Sequence, residues 1–172
     1  MLDLGSVGKG IACDEVRGVL ENSKIKRAVV SVGGSIQLYG EGEKFTDGIR
    51  DPFSESLTES FALLTLPATC VSTYGSYERY FDRDGVRYHH ILDPKTGYPA
   101  ESGLVSVTVV CSDGFMSDAL STACFVLGYE KSLPLLEKYG AQAVFVFNDR
   151  SVRVTGSLAD SFKLEKDGFK LL

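Results

Sequence analysis

The chain has 172 residues, 44% of them apolar, a formal charge of −5 and a pI of about 5.1. That length and apolar content suit one domain with a real core and exclude a disordered chain. The acidic balance argues against a nucleic-acid binder, and no apolar run approaches the roughly 20 residues of a membrane helix.

The N-terminus, Met1-Leu2-Asp3-Leu4-Gly5, has neither the basic nor the apolar region of a signal peptide. A glycine turn, Gly5-Ser6-Val7-Gly8-Lys9-Gly10, comes next. Lys9 to about Asn22 reads as a helix, with Ala12, Val16, Val19 and Leu20 as its apolar stripe and Asp14, Arg17 and Glu21 pointing away. Arg27–Gly34 reads as a strand into a double-glycine turn, with Ser35–Tyr39 continuing extended. Phe45–Arg50 and Ser60–Leu66 are further strands, and Asp51-Pro52 is a turn. Thr69–Thr73 is short and apolar. Tyr77–Asp82 and Val86–Ile91 flank Arg83-Asp84-Gly85, a strong hairpin signal. Asp93-Pro94-Lys95-Thr96-Gly97 is a tight turn.

Leu104–Cys111 is nearly continuous in apolar residues and reads as the central strand. Helices follow at about Phe115–Leu127, stopped by Gly128, and at Glu130–Tyr139. Gln142–Phe147 and Ser151–Thr155 form a hairpin, and Ser161–Leu172 reads as a last strand pair. Two or three helices among many strands predict an α+β fold with a mixed, mostly antiparallel sheet, in one domain over 1–172. Cys13, Cys70, Cys111 and Cys124 lack zinc spacing and sit in apolar settings, as small buried hydrophobes do.

Three stretches carry chemistry. His89 and His90 are the only histidines and stand side by side; in a strand they face opposite ways, so one can face a site. Asp93 can orient His90 or cap its own turn. On the 115–127 helix, with Asp118 at zero, a 100° step puts Ser121 at about 300° and Thr122 at about 40°. Leu120, Ala123, Cys124 and Leu127 fall on the other side. A carboxylate and a hydroxyl at i, i+4 suit Mg²⁺, and equally an ordinary solvated first turn. The glycine turn can approach a phosphate at a helix start, or simply begin the helix; it is neither a P-loop nor GxGxxG. Lys9 can add charge near a phosphate or be solvated. Ser72-Thr73-Tyr74-Gly75-Ser76-Tyr77 offers hydroxyls but no nucleophile elbow.

Taken together, the chain resembles the ApbE-type flavin transferases (FAD:protein FMN transferases). The matching stretches, in order, are Asp3–Asp14, Val30–Ile36, Val71–Tyr80, His89–Pro99 and Ser117–Thr122. The resemblance implies an ApbE-like fold that holds FAD with its pyrophosphate on Mg²⁺. It also implies transfer of FMN to a threonine or serine hydroxyl of an acceptor flavoprotein, with release of AMP. Carried over, the metal ligands are the Gly8 carbonyl, Asp118 and Thr122, with Ser121 at a further position. FAD contacts fall near Gly5, Lys9, Ile11 and Leu92, and His90 is the general base. Family members carry an upstream segment with part of the flavin pocket, so the chain reads as the C-terminal half or more of such a protein. A shortened chain could bind FAD poorly, pair with another chain, or serve as a non-catalytic binding or assembly domain. The alternative activity on the same fold is an FAD pyrophosphatase, with water replacing the hydroxyl acceptor and giving FMN and AMP. The family is often exported and anchored outside the cytoplasmic membrane, and any such anchor would lie upstream.

Overall fold

The apolar run Leu104–Cys111 is the middle strand of a seven-stranded sheet. The structure is a computed structural model and describes residues 4–172. Its first half comprises helix α1 (Gly8–Glu21) and strands β1 (Arg27–Val32), β2 (Ser35–Gly40), β3 (Phe45–Arg50), β4 (Ser60–Leu66) and β5 (Thr69–Gly75). A hairpin of β6 (Tyr80–Arg83) and β7 (Val86–His89) follows, then β8 (Leu104–Cys111) and helices α2 (Gly114–Leu127) and α3 (Tyr129–Lys138). The chain closes with β9 (Gln142–Phe147), β10 (Ser151–Val154), a 3-10 turn (Gly156–Ser161), β11 (Phe162–Leu164) and β12 (Lys170–Leu171).

The large sheet runs β1-β2-β5-β8-β9-β10-β12 and is antiparallel except where β12 joins β10. A smaller antiparallel sheet runs β11-β4-β3. This is the mixed α+β fold that the sequence predicts. No helix among the described residues is long and apolar enough to cross a membrane.

Strand alternation gives the large sheet two cores. On β9, Ala143 and Phe145 join Val107, Val109, Leu120 and Phe125 on the helical side. Val144 and Val146 point the other way, to Phe61, Leu64 and Val152 beneath the small sheet. Each such side chain stabilises the fold by about 1.5–3 kcal/mol on burial. The four cysteines are free and buried, as expected. Burial pushes the Cys70 thiol up to about 12 and Cys124 to about 11.

Two expectations are corrected. The buried face of α1 is Gly10, Cys13 and Leu20, while Val19 is 70% exposed. Leu20 of the expected stripe is buried, Ala12 and Val16 are half-buried, and it is Gly10 that meets the neighbouring helix. The C-terminal strands do not pair with each other. β11 pairs with β4 and β12 with β10, because the stretch between them bridges the two sheets. Phe169 stacks on Phe61 at 4.4 Å, and Lys166 Nζ binds Asp51 at 2.5 Å and Glu59 at 2.6 Å. Asp51 is 1% exposed. Lys166→Met therefore leaves a buried carboxylate without its cation. The expected result is a lower Tm, partly restored by adding Asp51→Asn, read by calorimetry on the single and double variants.

Candidate active site

The site begins where α1 crosses α2. A Cβ on Gly10 would lie 2.1 Å from the Gly114 carbonyl oxygen, and one on Gly114 would lie 2.6 Å from that of Gly10. Glycine at both positions lets the two backbones touch. One turn along α1, the Asp14 carboxylate accepts from Gly114 N (2.9 Å) and Phe115 N (2.8 Å). It places negative charge on the free N–H groups at the start of α2. Asp113 caps the same helix through Met116 N at 2.8 Å. Arg17 pairs with Asp14 at 2.9 Å and donates to the Ser112 carbonyl at 2.6 Å. Asp14 and Arg17, which point away from the apolar stripe, thus reach the start of α2 while staying partly exposed.

This crossing buries the polar side of α2. Asp118 and Ser121 are 0% exposed, so a solvated first turn is ruled out. Asp118 Oδ2 accepts the Gly10 N–H at 2.9 Å. Lys9 Nζ stands 3.1 Å from Oδ1, in an ion pair whose geometry falls short of a hydrogen bond, so Oδ1 has no hydrogen-bond donor. One turn on, Thr122 Oγ1 is also buried with no hydrogen-bond partner. Ser121 Oγ donates to the Asp118 backbone carbonyl at 2.7 Å.

Tyr74, on β5, ties this corner to the histidines. Its hydroxyl donates to the Gly5 carbonyl at 3.2 Å. Its ring lies 4.5 Å from Lys9 Nζ and 5.8 Å from the His90 ring. The two histidines separate as strand alternation requires. His89 meets Phe125 edge-on at 5.6 Å, and its Nδ1 is buried without a partner. Burial pushes its pKa down, against a backbone contact at Ala100 and with the neighbouring His90.

His90 is exposed at the base of the hairpin. Its backbone N–H donates to the Arg79 carbonyl at 3.1 Å, and Nδ1 lies 3.2 Å from the same oxygen. A carbonyl only accepts, so this contact favours the proton on Nδ1 and leaves Nε2 as the basic nitrogen. The Asp93 carboxylate takes Lys95 N–H at 2.8 Å, the turn-capping role.

A cleft of about 940 Å³ runs from Gly5 and Lys9 past Tyr74 to His90 and Leu92, and reaches Thr122. Gly8, Ile11, Asp118 and Ser121 do not line it: Gly8 and Ile11 are exposed on the first turn of α1, and Asp118 and Ser121 are buried in α2. Arg79 and Gly34 also line the cleft. Arg79 had no signal of its own in the sequence, because the group that holds His90 is a backbone carbonyl. Tyr74 was visible only as one hydroxyl in a run of them. A second cleft of about 630 Å³, by Arg17 and Gln37, shares no residue with this one.

Among the described residues no three His, Cys, Asp or Glu side chains cluster as a metal cage. Asp118 Oδ1, which has only the Lys9 ion pair, and the unpartnered Thr122 hydroxyl form a sparse, hard donor set. That fits Mg²⁺, which keeps water and phosphate ligands, and does not fit zinc.

A model of the ApbE family matches residues 1–145. The FAD:protein FMN transferase of Treponema pallidum is 40% identical over 95% of this chain and 48% of its own length. That of Klebsiella pneumoniae is 36% identical over 99% and 53%. Among solved structures, the ApbE protein of Thermotoga maritima superimposes with a TM-score of 0.82 at 35% identity, over 93% of this chain and 53% of its own. The Pseudomonas stutzeri flavinyl transferase ApbE gives 0.76 at 33%, over 96% and 53%. The chain thus spans about half the length of these relatives. With a family match across most of its length and the same fold as two solved members, the chain belongs to the ApbE family.

Proposed function

We propose that this chain carries the metal-and-base side of an FAD:protein FMN transferase, as one domain corresponding to the C-terminal part of such a protein. The observation that carries this is the shared cleft: the glycine turn, Thr122 and the exposed His90 line it, and Lys9 in its wall reaches the buried Asp118 carboxylate. The relatives that match nearly the whole chain are named for that activity.

In this reading FAD lies with its pyrophosphate between the glycine turn and His90, near Gly5, Lys9, Ile11 and Leu92. Asp118, Thr122 and the Gly8 carbonyl would hold Mg²⁺, with Ser121 behind them. When bound, Mg²⁺ supplies charge neutralisation at the pyrophosphate. Lys9 and Arg79 add positive charge along the cleft. His90 Nε2 accepts the proton of an acceptor threonine or serine hydroxyl. That oxygen bonds to the FMN phosphorus as the bond to the bridging oxygen breaks, and AMP leaves. The Arg79 carbonyl keeps the other ring nitrogen protonated, so Nε2 stays the base.

The test is product analysis with FAD, Mg²⁺ and a threonine-containing acceptor flavoprotein. The expected result is an acceptor heavier by one FMN, with one AMP per transfer. Because His90 is exposed, water can also reach it, which favours hydrolysis as the second reading. FMN and AMP formed equally well without acceptor would establish that pyrophosphatase activity instead. A folded sample that neither binds nor cleaves FAD would mark the chain as a non-catalytic binding or assembly domain.

A further inference from the structure

We infer that Lys9 is the resident counter-ion of Asp118, which a divalent cation must displace, so that Lys9 sets cation affinity and moves into the cleft when the cation binds. The inference rests on the metal reading of Asp118 and Thr122 above.

A carboxylate that is 0% exposed needs positive charge or donors close by. Asp118 has the Gly10 N–H on one oxygen and the Lys9 ammonium 3.1 Å from the other. The oxygen facing Lys9 is also the one without a hydrogen-bond donor, and Thr122 Oγ1, one turn on, is unsatisfied too. A cation held by Asp118 Oδ1 would need the place beside that oxygen which the Lys9 ammonium now holds. An ammonium and a divalent ion repel strongly at such range in a buried setting, so one excludes the other.

Lys9 has somewhere to go. Its side chain is 27% exposed, and it lines the cleft. The Tyr74 ring already lies 4.5 Å from Nζ in the paired position, and that cation–π contact can persist as the ammonium swings from Asp118 toward the cleft. The stem runs past Gly33, where a Cβ would stand 3.2 Å from Lys9 Cδ. Once displaced, the ammonium faces the part of the cleft assigned above to the pyrophosphate. Cation binding would thereby prepare the anion site, and Lys9 is a positioning residue for both.

The test uses Mn²⁺ alone, without FAD, with free Mn²⁺ followed by electron paramagnetic resonance. Lys9→Met is expected to bind Mn²⁺ about tenfold more tightly than wild type, with a lower Tm in the absence of metal and a larger Mn²⁺-induced gain. Lys9→Arg keeps the charge and stays near wild type. Independently of any variant's folding, reductive methylation of the wild type, read by mass spectrometry against exposed Lys24, should label Lys9 several-fold faster when Mn²⁺ is present. If Asp118→Asn abolishes Mn²⁺ binding while Lys9→Met binds no tighter and labelling does not change, this inference fails and the metal site stands. If Asp118→Asn binds Mn²⁺ as wild type does, the metal reading and this inference fall together.

Discussion

Gly10→Ala is expected to destabilise the protein by about 2–3 kcal/mol, although it places a better helix former in the first turn of α1. The new methyl would lie 2.1 Å from the Gly114 carbonyl oxygen and 2.7 Å from Asp118 Cβ. Backbone cannot yield as a flexible side chain can, so α1 and α2 must move apart. The Gly10 N–H then leaves Asp118 Oδ2, and Asp14 loses its reach to Gly114 and Phe115. The damage is structural and local to the site at once. Gly18→Ala is the matched control. It lies in the same helix with nothing within 4 Å of an added Cβ, and should stabilise by up to about 1 kcal/mol. Urea denaturation of the pair checks both signs. Equal behaviour of the two variants would contradict the close crossing on which the site is built.

His90→Gln is expected to lower FMN transfer by about 10²–10⁴-fold, the usual contribution of a positioned acid or base. FAD affinity should stay near that of wild type, since glutamine keeps a polar group at the cleft wall. Single-turnover transfer assays separate the two effects. His89→Gln makes the comparison informative. His89 packs on Phe125 with its Nδ1 buried, so its replacement should act on stability first. A transfer rate equally reduced in both variants, at equal stability, would remove the assignment of the base to His90.

Much of the fold is legible in the sequence where the signal is local. The eight-residue apolar run of β8 announces a strand buried on both faces. Asp84 and Gly85, at φ 52° and 76°, form the tight hairpin turn that an Asp-Gly pair predicts. Gly128, at φ 78°, ends α2 as expected. The misreadings concern partners distant in sequence. The wheel of α1 favours Val19 because it is apolar, whereas Gly10 is buried because it is small enough for another helix to approach, and Cys13 because it meets Cys70 on β5. Asp14 reads only as a charge off the apolar stripe until the start of α2, 100 residues away, is brought against it. The pairing of β11 with β4 and of β12 with β10 has no local signal at all.

The site shows the same division. The histidine pair, the glycine turn and the Asp118–Thr122 spacing are visible as motifs, but each has an ordinary structural explanation when taken alone. Their order along the chain supports the family resemblance. The burial of Asp118, the unsatisfied Thr122 hydroxyl and the Arg79 carbonyl that orients His90 emerge only from the tertiary arrangement. Lys9 illustrates this well: the sequence leaves it solvated or near a phosphate, and the structure adds a pairing with a buried carboxylate that has no local signal.

The most direct test of the account is titration of the wild-type chain and Asp118→Asn with FAD, with and without Mg²⁺, followed by flavin fluorescence and thermal shift. Wild type should bind FAD more tightly with Mg²⁺, and Asp118→Asn should lose that gain while remaining folded. Mg²⁺-independent binding of equal strength in both proteins would contradict the assignment of Asp118 and Thr122 to the metal side of one working site.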